Sequence, residues 1–230
     1  MRFGSTTTLP RGMTPAASVS TTDRLTFIKK VYTLLAMSIG TAAIGAYLGS
    51  GPLKTLVQSL GWGLIILQFA LIFFASFAAR KPGLNMVALF SFTTVSGLTI
   101  GPLLNYYLSV NPSVVAEAFV LTAITFAGLS LYVVYSRKDF SFMSGFLMTG
   151  LIVVIVGGLL NYFFFQNEMG QLVMSGASVL LFSGFILYDT SNILRYYGTD
   201  EYVSATLALY LDILNLFIAL LSILGIMSDD

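Results

Sequence analysis

Seven apolar segments recur along this chain, each about 20 residues long, which is the length that an α-helix needs to cross a bilayer. Strand edges and loops cannot satisfy their backbone polar groups at that depth. Hydrophobic residues make up 57% of the chain and charged residues only 9%. We therefore predict an all-α integral membrane protein with seven transmembrane helices. The predicted spans are Val31–Leu48, Trp62–Ala79, Met86–Tyr106, Val114–Tyr135, Phe142–Phe165, Leu172–Leu194 and Ala205–Met227.

The residue types that are missing limit the chemistry. The chain contains no cysteine and no histidine, which excludes disulfides, thiol chemistry, an imidazole base and a zinc site built on those ligands. A net charge of +1, with no basic stretch interleaved with aromatics, gives no basis for nucleic-acid binding. We expect no cofactor and no resident metal. Proton chemistry near neutral pH must come from carboxylates.

Basic residues predict the orientation, because loops on the cytoplasmic side of a membrane protein are rich in Lys and Arg. With seven spans and a cytoplasmic N-terminus, ten of the 11 basic residues lie inside and only Lys54 lies outside. The C-terminus is then external. Residues 1–25 are rich in Ser, Thr, Pro and Gly, and we expect a flexible cytoplasmic tail there or a handle for a cytoplasmic partner. Residues 26–230 form the membrane domain, with Thr22 or Asp23 expected to cap its first helix.

Three acidic residues fall inside predicted spans, namely Glu117, Asp189 and Asp212. An aspartate at the centre of a span costs about 3 kcal/mol on insertion scales, so each residue needs an explanation. Asp189 precedes Arg195 by six residues, and Asp212 follows Ala205 by seven. At 1.5 Å per residue, both carboxylates lie about 10 Å from the inner helix ends. We therefore expect the two to meet between the sixth and seventh helices.

An asparagine follows each aspartate three residues later, at Asn192 and Asn215, which extends the expected polar patch. Two close carboxylates in a low dielectric should share one proton and act as a pH-sensitive latch. The alternative is a permanently protonated pair that only joins the helices. Glu117 lies near the outer end of its span, where it is either a solvated interfacial residue or a pathway ligand. Calcium could make at most a weak, transient contact with the aspartates, because it requires six to eight oxygens.

Several motifs in the chain together resemble the Bax-inhibitor family of seven-span membrane proteins. They are "FILYDTSNI", "LALYLDILNLFIALLSILG", the acidic end "SDD", "KDFSFMSGFLMTG" and "VSGLTIGPLLNYYL". The resemblance is closest to the bacterial branch known as modulator of the FtsH protease, partly because of the polar N-terminal tail. It implies a seventh helix surrounded by the other six, a location in the bacterial inner membrane, and a di-aspartyl pH sensor at Asp189 and Asp212.

Two functions follow from this resemblance. Members of the modulator branch bind a membrane-bound ATP-dependent protease and restrain it, whereas other members resemble pH-dependent calcium leak channels. The leak pattern has an acidic residue in the second span where this chain has Gln68. The arginine expected beside the aspartates falls near Ala79, with Arg80 one residue along. We therefore predict a protease modulator, with an FtsH-like protease as partner, and keep the ion leak as the alternative.

A third interpretation is intramembrane aspartyl proteolysis, which also uses aspartates on two adjacent spans. The second motif of those proteases is Gly-x-Gly-Asp, whereas Leu209, Tyr210 and Leu211 precede Asp212 here. No glycine opens the backbone for a substrate. We accordingly predict that the protein is not an enzyme.

Overall fold

The chain folds almost entirely into helices in a computed structural model that describes residues 20–78, 81 and 83–228. A 3₁₀ turn at Ser141–Met143 and a π-helical turn at Asn161–Phe165 extend α6 at its two ends. No strand occurs in these described ranges. The helices are α1 (Thr21–Ser50), α2 (Lys54–Leu60), α3 (Trp62–Ala78), α4 (Leu84–Val110), α5 (Pro112–Ser136), α6 (Ser144–Leu160), α7 (Glu168–Arg195) and α8 (Tyr202–Ser228).

Six helical segments of the described chain are long and apolar enough to cross a membrane, so the protein is a multi-pass, all-α membrane protein. The predicted second span coincides with α3, which has only 17 residues and rises about 26 Å, short of the roughly 30 Å of hydrocarbon. It reaches spanning length only together with α2, from which it is bent by 84°. The described chain therefore has six spans, or seven when the bent α2–α3 pair is counted as one broken span.

The first helix begins earlier than the hydropathy pattern predicts, at Thr21 rather than Val31. Its cap is Ser20, and the expectation of Thr22 or Asp23 was wrong. The Ser20 hydroxyl accepts a hydrogen bond from the Asp23 amide at 3.2 Å and donates to the Asp23 carboxylate at 2.7 Å. This exchange satisfies an amide that the first helical turn cannot pair internally.

The closest helix contact joins α1 and α4 through small residues. Gly45 and Gly49 on α1 face Gly97 and Gly101 on α4, and each pair has Gly-x-x-x-Gly spacing. A Cβ atom added at any of the four would overlap backbone atoms of the opposite helix. Small residues allow such backbone contact in membranes, where lipid removes most of the hydrophobic drive for helix association.

The last helix, α8, packs against α1, α4, α5 and α7. Two of these contacts are fixed by buried hydroxyl groups. Tyr210 on α8 shares a hydrogen bond with Ser96 on α4, and Thr206 donates to the Val31 carbonyl of α1 at 3.3 Å. Of the contacts that α8 makes, the one with α7 is the most extensive. This contact contains the acidic residues Asp189 and Asp212.

Polar contacts at the helix ends define two faces of the bundle. The N-terminal face contains the start of α1, the 137–143 loop and the 196–201 loop, and the last two are joined by Tyr196 and Asp139. The opposite face contains the end of α1, where Asn105 donates to the Ser50 carbonyl at 3.1 Å and accepts from Lys54 at 2.7 Å.

Candidate functional site

The structure brings Asp189 on α7 and Asp212 on α8 together as interacting neighbours that line one cavity. Asp189 is half-buried, and Asp212 is only 4% exposed. The Oδ2 atom of Asp212 is buried without a hydrogen-bond partner in the described part of the chain. Ionisation of this pair is costly, because two negative charges would stand side by side away from bulk water.

The pair lines a cavity of about 930 Å³ bounded by α3, α4, α6, α7 and α8. The two helices at its sides, α3 and α6, pack against α4 and α7 rather than against each other. Within the described part of the chain, no helix closes the side of the cavity between α3 and α6.

The cavity wall is largely apolar but carries polar side chains along its length, including Ser178 and Asn215 between the aspartates and Ser222. Toward the opposite face its wall carries Gln171, Ser175 and Ser222, in which the Ser222 hydroxyl accepts from Gln171 at 3.2 Å and from Ser175 at 2.9 Å. Asn161, in the π-helical turn, lines the same end. The carboxylates lie toward the other end, about 15 Å along α8 from Ser222.

The two asparagines predicted beside the pair have different surroundings. Asn215 lines the cavity, and its side chain donates to the Leu211 carbonyl at 2.7 Å. Asn192 is not among the cavity-lining residues, and its carbonyl accepts from the amides of Tyr196 and Tyr197 where α7 ends. Asn192 therefore contributes its backbone to the helix end.

The remaining candidates lie apart from the pair. Glu117 is exposed on α5 and is not among the residues that line the cavity. Arg80 lies outside the described residues. Gln68 on α3 lines the cavity together with the aspartates. The sequence analysis noted Gln68 only because the calcium-leak pattern has an acidic residue at this position.

Sequence reasoning missed the polar end formed by Asn161, Gln171, Ser175 and Ser222. A signal for part of it exists, because Asp212, Asn215 and Ser222 are spaced by three and seven residues and so share one face of α8. The contribution from α6 and α7 depends on which helices become neighbours. Spacing within one helix does not determine that.

Two loops close the N-terminal face near the pair. The Tyr196 hydroxyl donates to the Asp139 carboxylate, and the Phe140 amide donates to the buried Ser191 hydroxyl at 3.1 Å. The bond from Tyr196 holds the pKa of Asp139 below its ordinary value. Burial, followed by the nearby Asp189 carboxylate, raises the pKa of Tyr197. Tyr197, in the 196–201 loop, is therefore close enough to the acidic pair to be affected by its charge.

Comparison with known proteins finds related chains of the same length. A family model described as "Inhibitor of apoptosis-promoting Bax1" matches residues 24–229. An "Uncharacterized membrane protein" of Vibrio cholerae is 44% identical over 209 residues, which cover 88% of this chain and 90% of its own. An "Uncharacterized protein" of Helicobacter pylori is 39% identical over 209 residues, with 90% and 89% covered. The vaccinia virus "Golgi anti-apoptotic protein" is 36% identical over 217 residues, with 91% and 89% covered.

Proposed function

We propose that this chain, which belongs to the inhibitor of apoptosis-promoting Bax1 family, is a pH-responsive, non-enzymatic protein of the bacterial inner membrane. The observation that carries this proposal is the contact between Asp189 and Asp212 at a cavity inside the bundle. Carboxyl groups that share a proton in a low dielectric change their mutual interaction when that proton is lost. Because one carboxyl is on each helix, proton loss changes the contact between α7 and α8.

The distance between α7 and α8 tests the pH response directly. Spin labels near Leu194 and Ser204 should report a distance that changes with pH in the wild type. The double variant Asp189→Asn/Asp212→Asn should hold the distance constant, because an amide resembles a protonated acid in shape and still donates a hydrogen bond. Asp200→Asn, the same change at an exposed loop position, serves as the control. Equal movement in the wild type and the double variant would mean that the aspartates only join the helices.

The process under control is, in this proposal, the action of a membrane-bound ATP-dependent protease of the FtsH type. The resemblance to the modulator branch and the Ser-, Thr- and Pro-rich first 25 residues support it. Co-purification from native membranes should recover the protease. Deletion of residues 2–19, which retains the Ser20 cap of α1, should leave the fold intact and lengthen the lifetime of the protein, because it removes the terminal segment that the protease would grip. Recovery of the chain alone under conditions that preserve membrane complexes would count against the modulator.

A pH-dependent cation leak is the second candidate, and the polar-ended cavity beside the aspartates favours it. In proteoliposomes, proton or calcium flux should change with pH and should be altered in Asp212→Asn. Calcium would find few ligands, since no cluster of three or more His, Cys, Asp or Glu side chains occurs in the described ranges. If the flux is no greater than that of empty liposomes at every pH, the cation leak is excluded and only the protease-modulator function remains.

The proposed topology has seven spans, with α2 and α3 forming one broken span and α8 in the centre of the bundle. The tail is cytoplasmic and the C-terminus periplasmic, so that the N-terminal face lies inside. The ten-to-one distribution of basic residues supports this orientation. A reporter fused after Asp230 should be active in the periplasm. A cytoplasmic signal would contradict the seven-span count.

Intramembrane proteolysis remains a remote alternative, because two carboxyl groups in contact are the groups that such proteases use. Against it, the residues before Asp212 are Leu209, Tyr210 and Leu211, and α8 is an uninterrupted helix there. Purified protein should cleave no membrane substrate. Cleavage that disappears in Asp189→Ala would establish an enzyme.

A further inference from the structure

We propose that the cavity between α3, α4, α6, α7 and α8 is a binding site for a linear alkylammonium cation. Its ammonium group lies at Asp189 and Asp212, and its alkyl chain extends along the largely apolar wall of the cavity toward Ser222. This ligand goes beyond the proposed pH response, which needs only protons. The charge, the apolar wall and the open side of the cavity each support it.

The acidic pair carries one negative charge when it shares a single proton, and this charge favours a positive partner. Asp212 is 4% exposed, and its Oδ2 atom has no hydrogen-bond partner in the described chain, which is costly for a buried carboxylate. None of the described residues that line the cavity is Lys or Arg. An ammonium group offers three hydrogen-bond donors and one positive charge, enough to pair both carboxyl groups.

The wall beyond the carboxylates selects the rest of the ligand. Most of the wall between the aspartates and Ser222 is apolar, formed by Phe182 and Phe185 on α7 and Ile218 and Ala219 on α8, with Ser178 and Asn215 as its polar members. A hydrated inorganic ion gains nothing from this apolar stretch, whereas an alkyl chain gains from each methylene that leaves water. Phe185 is one helical turn from Asp189, so its ring is available to the same cation.

The side between α3 and α6 gives the ligand a route from the membrane. Neither helix packs against the other, and both contribute residues to the cavity. Gly158 on α6 lines the cavity, and a Cβ atom added there would meet no other atom within 4 Å. This glycine leaves space at the position where a larger side chain would fill the cavity without disturbing the helix contacts.

Native mass spectrometry of the full-length protein, released from detergent, tests the proposal with three probes: n-decylammonium, n-butylammonium and 1-decanol. The wild type should bind one decylammonium, and at least about tenfold more tightly than either other probe, because only decylammonium provides both the charge and the chain. Asp212→Asn should weaken decylammonium binding about tenfold or more. Asp200→Asn, the same change on an exposed loop, should leave it unaltered.

Gly158→Leu provides a variant in which the acidic pair is intact. It should weaken decylammonium binding and leave butylammonium binding unchanged, while the pH-dependent α7–α8 distance persists. If the α7–α8 distance does not change with pH in the wild type, the proposed function is contradicted, whereas the alkylammonium site is not. Equal binding of decanol and decylammonium, or full binding by Asp212→Asn, would overturn the alkylammonium site. Binding that appears only in Arg80→Gln would also overturn it, because Arg80 would then be the cation that pairs with the aspartates.

Discussion

The α1–α4 and α7–α8 interfaces differ in how closely they pack and in whether they contain charged groups. Between α1 and α4, glycines bring two backbones into contact and leave no space for a side chain. Between α7 and α8, two carboxyl groups meet beside a cavity of about 930 Å³. The first interface gains stability from complete packing, whereas the second retains charge and space that weaken it.

This difference separates residues that hold the fold from residues that are available for function. Membrane helices associate mainly through close van der Waals contact and interhelical hydrogen bonds, so the glycine interface carries a large share of the stability. A buried acidic pair is weak support for a fold, because desolvation offsets its hydrogen bond. We therefore expect substitutions to destabilise the α1–α4 interface and to be tolerated, or even stabilising, at the acidic pair.

The largest effect is expected from Gly97→Ala, which places a methyl group against the Ala42 backbone of α1. The helices must separate to accommodate it, at a cost of about 3 kcal/mol or more. Gly40→Ala is the matched control, since its added Cβ meets no atom within 4 Å. Thermal unfolding in detergent should show a much lower midpoint for Gly97→Ala and no loss for Gly40→Ala. Equal midpoints would mean that the backbones are not in contact.

The next effect has the opposite sign. Asp189→Asn/Asp212→Asn removes two groups whose ionisation is unfavourable while keeping the side-chain volume, so we expect a gain of about 1–2 kcal/mol near neutral pH. The same unfolding assay measures it, and Asp200→Asn should show no gain. A clear loss of stability in the double variant would mean that the pair holds α7 and α8 together and would remove the contrast between the two interfaces.

Much of the fold could be predicted because helix length and hydropathy are local properties. Each predicted span overlaps a helix of the described chain, although the second is too short to cross a membrane without α2, and the meeting of Asp189 and Asp212 followed from a short connection between adjacent helices. The depth argument was less accurate, because α8 begins at Tyr202 and places Asp212 ten residues into its helix. The 196–201 loop permits this offset between the helix ends.

The cavity could not be predicted, since it depends on a pair of helices that do not pack together. No pattern within α3 or α6 shows that the two remain apart. The same limit explains Asn192 and Asn215, which occupy equivalent positions after their aspartates but differ in their surroundings. The first lies where α7 ends and the second lies along the cavity.

A smaller loss is expected from Tyr210→Phe, which tests the polar contact between α4 and α8. The phenol shares its hydrogen bond with the buried Ser96 hydroxyl, and Tyr210 is 2% exposed. Removing the hydroxyl leaves Ser96 with its bond to the Thr93 carbonyl and should cost about 1 kcal/mol. Tyr135→Phe is the control, because Tyr135 is 81% exposed. Equal unfolding midpoints for the two variants would indicate that the contact adds nothing.

The smallest effect concerns the hydrogen bond between Tyr196 and Asp139, which joins the 196–201 and 137–143 loops beside the α7–α8 interface. The Tyr196 hydroxyl lowers the pKa of Asp139 from its ordinary value of 3.8, so the folded state binds this proton more weakly than the unfolded state. The resulting stability is fully present above the unfolded pKa and is lost as pH falls through the folded pKa, below about pH 4. Because Asp139 is exposed, solvent screening limits the gain to less than about 1 kcal/mol. In a pH series of unfolding midpoints, Asp139→Asn and Tyr196→Phe should each reduce the fall in midpoint at acidic pH. Asp200→Asn should show the same fall as the wild type. If neither Asp139→Asn nor Tyr196→Phe changes the fall in midpoint at acidic pH, the acid sensitivity comes from other carboxylates.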